Sequence, residues 1–276
     1  MTRQPVSGVT PEPDLPFPLS FRPIMAGWNL LFFKPDPWKP DPTQSAEWNR
    51  GAYLTTAIGH CAACHTPINA LGGAIRSRPY AGGEAEGWDA PALQAASRAA
   101  KPWTVEELTT YLRTGLSDQH GAAAGPMTEV THALATVPEQ EVRAMAIYFV
   151  AQMPKSSTVP PAPALSASIA SGSAVFAGAC AGCHAPDAPM MQRGAPSLAL
   201  STTLNADSPR GAIQAIRQGL PWRGDRAGPY MPGFEDSLSD QQLADLVRYI
   251  RARFSGAPAW SDKDIKTHSA RPNRGT

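Results

Sequence analysis

The sequence predicts a mainly α-helical fold: two tandem helical domains, long irregular loops and an extended N-terminal arm. Three observations predict it. All four cysteines, Cys61, Cys64, Cys180 and Cys183, fall in two Cys-X-X-Cys-His runs, each at the end of an apolar segment. The order around each run is the same: helix, run, loop, helix, Met-containing loop, capped helix. A proline-rich stretch near residue 158 stands between the two copies.

The composition fits that plan. Of 276 residues, 29 are proline, which is about twice ordinary usage and predicts rigid, irregular connections. With 42% hydrophobic residues the chain can fill a core. Net charge +1 gives no support for nucleic-acid binding, which needs a basic face. No apolar stretch reaches the length of a membrane span.

The elements follow in order. Residues 1–42 are proline-rich without a clear period and read as the extended arm. Within them, Pro23 to Phe33 is apolar but too short to cross a bilayer. It suits packing over a domain surface, or else contact with a membrane or partner subunit. It has no basic leader or cleavage pattern, so it does not read as a signal peptide. The first domain is expected over residues 43–153. Trp48 to Ile58 leads into Cys61-Ala62-Ala63-Cys64-His65. Thr104-Val105-Glu106-Glu107 is a capping box opening a helix that stops at Gly115. Thr136-Val137-Pro138-Glu139 reads as a second box, opening a helix to about Ala151 with Val142, Met145, Ala146 and Phe149 on one face. Residues 154–166 are the linker. The second domain is expected over residues 167–260. It has a helix from about Ala167 to Ala179, the run Cys180-Ala181-Gly182-Cys183-His184, and a helix from about Pro209 to Gln218 stopped by Gly219. A last helix, capped at Ser239, ends near Phe254. Residues 261–276 read as a polar tail.

The two runs carry the chemistry. Two thiols separated by two residues can add across the two vinyl groups of one haem, and the next histidine can then face the iron. The competing readings are a four-cysteine zinc site, which leaves both adjacent histidines unexplained, and redox-active dithiols or structural disulfides. Two covalently bound c-type haems account for every cysteine. His65 and His184 are then proximal ligands. Met127, in the loop Gly125-Pro126-Met127-Thr128, and Met231, in the loop Pro229-Tyr230-Met231-Pro232-Gly233, are the expected thioether ligands. His120 and His132 are alternatives to Met127. Met145 reads as core, and Met190 and Met191 as packing or surface residues. Each proximal ring N–H needs an acceptor. Pro196 is the first choice beside His184 and Pro91 the weaker one beside His65. Trp88, Trp103, Trp222 and Tyr230 could pack on haem edges. Arg217, Arg223 and Arg226 could pair with haem propionates or a partner, although solvated surface suits most of them.

The runs and Met loops resemble tandem class I cytochrome c domains. A longer resemblance, over most of residues 18–260, is to the cytochrome subunits of bacterial periplasmic dehydrogenases, which usually carry three haems. It rests on Trp48-Asn49-Arg50-Gly51-Ala52-Tyr53-Leu54 before Cys61-Ala62-Ala63-Cys64-His65-Thr66-Pro67, on His120-Gly121 through Gly125-Pro126-Met127, and on Tyr230-Met231-Pro232-Gly233-Phe234. The spacing Gly172, Phe176, Cys180 is similar to the family's first helix, which packs on an aromatic of the last helix, here Tyr249. The resemblance implies an electron-transfer subunit that is not catalytic by itself. Its partner would be a catalytic dehydrogenase subunit: a molybdenum hydroxylase with an iron–sulfur subunit is favoured, with a flavoprotein or quinoprotein as alternatives. The downstream acceptor would be a cytochrome, an oxidase or a quinone. It also implies a periplasmic location, though no export signal is visible. The chain looks like the second and third haem domains with the first one missing. A dihaem peroxidase or haem-based ligand sensor is the rival reading and needs an open sixth iron position.

Overall fold

Two crossings between an early and a late helix organise the chain from Pro40 onward. The computed structural model describes residue 8 and residues 14–34, 37–156, 169–192, 195–220 and 230–270. It divides into the units Met1–Lys39 and Pro40–Thr276.

The first unit carries helix α1 (Ile24–Phe32), with the Trp28 and Phe32 rings 5.2 Å apart and no residue buried. The stretch read as an extended arm, residues 1–42, thus contains one helix that the sequence pattern does not announce. The surrounding prolines mask a proline-free run from Ile24 to Lys34, and Pro23 stands at the N-terminus, where its fixed φ does no harm.

The second unit opens with α2 (Ala46–Tyr53), capped by Ser45 Oγ accepting from Trp48 N at 3.1 Å. The helix continues as a π turn, Leu54–Ile58, and is followed by the short α3 (Ala62–His65). An antiparallel hairpin, β1 (Gly83–Ala85) and β2 (Trp88–Ala90), comes next. Then follow α4 (Val105–Thr114), the two-residue strands β3 (Leu116–Ser117) and β4 (Gly121–Ala122), α5 (Pro126–Leu134) and α6 (Glu139–Val150). The second copy contains α7 (Ala170–Ala179), α8 (Ala181–His184), α9 (Pro189–Gln192), a 3₁₀ turn Leu198–Leu200 and α10 (Thr202–Asn205). It continues with α11 (Arg210–Gln218), α12 (Asp240–Phe254) and α13 (Asp262–Ser269).

Glycine permits each crossing. A Cβ on Gly51 of α2 would lie 1.9 Å from the Ala144 carbonyl oxygen of α6, and one on Gly172 of α7 would lie 2.1 Å from the Asp245 oxygen of α12. Aromatic pairs seal both: Trp48 with Tyr148 at 5.0 Å, and Phe176 with Tyr249 at 5.4 Å, as the Gly172–Phe176 spacing leads one to expect. Gly51 precedes its first cysteine by ten residues and Gly172 by eight. The π turn, closed by Gly59 N to Leu54 O at 2.6 Å, and the left-handed His60 (φ 52°) absorb the difference.

The Thr104 and Ser239 capping boxes form with both reciprocal bonds, and Gly115 ends α4 at φ 74°. The Thr136 box does not form. Pro138 precedes α6 without a side-chain cap, and Thr136 Oγ1 donates back to Ala133 O at 2.9 Å. Thr136 belongs to the end of α5, a helix in a stretch that the sequence pattern assigns to a loop. The C-terminal tail is also corrected. Ser261 caps α13, Ile265 is 1% exposed, and Arg217 donates to His268 O at 3.1 Å and Ser269 O at 2.5 Å. One apolar residue among polar neighbours leaves little periodicity to read. Arg217 is thus a structural clamp rather than solvated surface. Residues 157–166 of the expected linker lie outside the described residues.

Two apolar cores result. One is built on Leu108, Val142, Ala146 and Phe149, the other on Ile213, Leu246, Val247 and Ile250, and among the described residues none belongs to both. Among the described residues no helix is long and apolar enough to cross a membrane.

Candidate haem sites

The first run turns immediately after the π segment, with Cys61 N on Thr55 O at 3.2 Å and His65 N on Cys61 O at 3.0 Å. This single turn brings Cys61, Cys64 and His65 to one end of the crossing. The His65 Nδ1 lies 2.7 Å from Pro91 O. A carbonyl only accepts, so Nδ1 carries the proton and Nε2 keeps the lone pair that an iron requires. Burial lowers the pKa of His65, so the ring is neutral.

The hairpin braces this turn. Gly82 N donates to His65 O at 2.9 Å, and a Cβ on Gly83 would lie 2.3 Å from Cys64 O. Trp88, one of the expected haem-edge residues, is buried against Gly125, whose Cβ would lie 2.4 Å from the indole. Gly125 sits at φ 54°, so side chain and backbone both require glycine there.

Met127 lies in the first turn of α5 rather than in a loop. It is half-buried and packs on the same core as Cys61. Met145 and Met153 are buried in that core. His132 is exposed in the last turn of α5. His120 is buried, its ring stacked on Trp103 at 3.5 Å and 12°, with Nε2 3.7 Å from Glu107 Oε2. Neither ring nitrogen of His120 has a hydrogen-bond partner among the described residues.

In the second copy, α7 runs directly into the run, with His184 N on Cys180 O at 2.9 Å. Cys180 is half-buried, Cys183 exposed. Met231 is half-buried on the same core as Cys180, Leu198 and Phe234. Its backbone pairs with Leu220 through bonds of 2.9 and 3.1 Å. Gly219 makes this possible: at φ 70° its Cβ would lie 2.3 Å from Met231 O. The His184 ring has no hydrogen bond among the described residues, so the preference for Pro196 over Pro91 as an acceptor is reversed. Met190 and Tyr230 are exposed. Trp222, Arg223, Arg226 and Pro229 lie outside the described residues.

All four cysteines are free thiols. Burial pushes Cys61 and Cys180 up to about 11, so both stay protonated at neutral pH. A redox-active dithiol needs the opposite shift in its attacking thiol. Among the described residues no three of His, Cys, Asp and Glu gather as a cation site, so the two pairs do not combine into a four-thiolate centre. Free paired thiols, a neutral His65 with Nε2 available, and a half-buried thioether on the same core fit a c-type haem in the first copy. The second copy supplies the same donor set without the proline brace.

The family described as cytochrome c oxidase, cbb3-type, subunit III matches residues 167–250. The chain is 42% identical over 283 residues to a nicotinate dehydrogenase subunit of Pseudomonas putida, an alignment covering all of this chain and 24% of that protein. It is 30% identical over 292 residues to the fructose dehydrogenase cytochrome subunit of Gluconobacter japonicus, covering 95% of this chain and 60% of the relative. A diheme cytochrome c-type protein of Cereibacter sphaeroides is 35% identical over 148 residues, or 52% of this chain and 48% of that one. The chain spans from about a quarter to about three-fifths of these relatives' lengths. By sequence it is similar to cytochrome c subunits of dehydrogenases.

Proposed function

We propose that this chain is a dihaem c-type cytochrome. It accepts electrons from a catalytic dehydrogenase or hydroxylase subunit and passes them haem to haem to a respiratory or soluble acceptor. The observation that carries the reading is the repeated unit: a Cys-X-X-Cys-His turn at the end of a helix crossing, with a half-buried methionine on the same core. Bound haem supplies one-electron cycling of its iron. The residues supply the rest. Cys61 and Cys64, and Cys180 and Cys183, hold the two groups by thioether bonds. His65 with Met127, and His184 with Met231, would ligate the iron of each. The similarity to cytochrome c subunits of dehydrogenases supports a chain that is not catalytic by itself.

The similarity to the nicotinate dehydrogenase subunit supports a molybdenum hydroxylase with an iron–sulfur subunit as the partner. The similarities to fructose, gluconate and quinone-linked alcohol dehydrogenase subunits keep a flavoprotein or quinoprotein as alternatives. Covalent haem attachment is chemistry performed outside the cytoplasm, which supports a periplasmic location.

The test is intact mass with a reduced pyridine spectrum on protein matured in a periplasm. Two haems add about 1.2 kDa to the polypeptide; zero or one overturns the proposal. Carbon monoxide separates the rival. His/Met ligation on both irons predicts little binding to the reduced protein, whereas stoichiometric binding to one iron marks a peroxidase-like or sensor site.

A further inference from the structure

The β1–β2 hairpin touches more of the first site than its six strand residues suggest. Its loop, Glu86-Gly87, has φ 51° and 79°, the two-residue turn whose twist matches paired strands. One side faces the attachment run. Gly82 binds the His65 carbonyl just before β1, and Pro91 accepts from the His65 ring just after β2. Trp88 lies against Gly125, two residues before Met127. The hairpin therefore bears on both segments that offer axial ligands.

The other side faces α11 of the second copy. Gln214 Nε2 donates to Gly87 O at 3.2 Å, at the tip of the turn. Arg210 Nη1 pairs with Glu84 and lies 3.6 Å from Asp89 Oδ1. The Asp89 Oδ2 is buried with no hydrogen bond among the described residues, so Arg210 is its compensating charge. The opposite end of α11 is Gly219, against the Met231 backbone.

We propose that this hairpin anchors the first haem site on the second copy, and that Arg210 is the positioning residue. By holding Glu84 and Asp89 together, Arg210 docks the hairpin on α11 and so fixes Pro91 against His65. A planar guanidinium suits this better than an ammonium, because it can serve two carboxylates at once. An exposed ion pair of this kind would be expected to do little. Arg210 and Asp89 are each only 26% exposed, and the Gln214 bond, which carries no charge, holds the same surface.

The redox part of this inference rests on the dihaem reading; the docking part does not. Two measurements on the full holoprotein test them. The first is hydrogen exchange at Gly82 and the hairpin amides. Arg210→Gln is expected to speed it about tenfold, and Arg210→Lys to restore only part of the protection. The second is a spectroelectrochemical titration of both haems. A slack Pro91 contact makes His65 a poorer donor to ferric iron. Arg210→Gln and the uncharged Gln214→Ala should both move the His65 haem about threefold toward its reduced form, roughly 28 mV at 59 mV per tenfold. The His184 haem should stay in place. Simple loss of a cation predicts the opposite sign in Arg210→Gln and nothing in Gln214→Ala. Unchanged exchange at Gly82, or that opposite pattern of potentials, overturns the proposal. Absence of haem from the unsubstituted protein overturns the dihaem reading and the redox part, while the exchange data still decide the docking.

Discussion

At the scale of single residues, the proposed ligands differ in how firmly the protein holds them. His65 is fixed by one hydrogen bond to a proline carbonyl, whereas Met127 and Met231 are held by packing and backbone pairing. Replacing Met231 with alanine should leave the attachment intact and open the sixth position. The reduced protein should then bind carbon monoxide at one iron. The potential of that haem should fall by on the order of 100 mV, within the ~0.8 V range that axial ligands control. Retained inertness to carbon monoxide would remove Met231 from the site. His120 supports a different prediction. Burial lowers its pKa, against the pull of Glu107 and with the help of Lys101. The unfolded chain therefore takes up this proton at a higher pH than the folded one. The resulting stability is full above the ordinary histidine value of about 6.5 and is lost as pH falls through the lowered folded value. Denaturant midpoints should drop between about pH 7.5 and pH 5. His120→Phe, which keeps the stack on Trp103, should flatten that dependence; an unchanged slope would assign it elsewhere. The two Cys-X-X-Cys-His runs were legible because covalent haem attachment would require that spacing. Pro91 was legible only as the weaker of two proline candidates, because any carbonyl can serve as acceptor and none has a signature.

At the scale of elements, the helix crossings rest on two glycines whose substitution should be opposed by large steric terms. Alanine gains about 0.5–1 kcal/mol over glycine in a helix interior. At Gly51 and Gly172 the added carbon would overlap a facing carbonyl at 1.9 and 2.1 Å, and neither is a flexible side-chain tip. Overpacking of this kind costs typically ~1–3 kcal/mol and should win. Gly51→Ala and Gly172→Ala are expected to lose about 2 kcal/mol in chemical denaturation. Gly178→Ala, in α7 with nothing within 4 Å of its Cβ, should instead gain up to about 1 kcal/mol. Equal effects at the three positions would contradict the crossing geometry. The hydroxyl caps of α4 and α12 and the glycine stop of α4 could be read from the sequence because those signals are local. The hairpin could not, since strands of three residues hold too few positions for a period. Helix α5 was hidden because its start is Gly125 against an indole, a tertiary contact rather than a cap.

At the scale of the whole second unit, two cores share no residue among those described and meet through polar groups. The described contacts across the meeting surface include Arg210 with Glu84 and Asp89, Gln214 with Gly87, and Arg98 with Asp207 at 3.1 Å. The last pair is largely exposed and adds little. Apolar burial, which supplies most folding free energy, is therefore confined within each copy. Cooperativity between copies rests on these few polar contacts, of which salt screens the ion pairs in part. A single two-state transition is thus not expected. The last helix belongs to the second core: Arg251 donates to Leu204 and Pro258 carbonyls and lies over Trp260 at 4.5 Å, tying residues after Phe254 to α12. Thermal unfolding of the holoprotein, followed by calorimetry, should resolve into two transitions that separate further as salt is raised. Leu246→Ala, at a fully buried position, should lower one of them by the equivalent of ~2–5 kcal/mol. Val142→Ala should lower the other by less, because it removes fewer atoms. If each substitution instead moved a single shared transition, the two copies would be one cooperative domain, and the polar surface between them would carry more free energy than its contacts suggest.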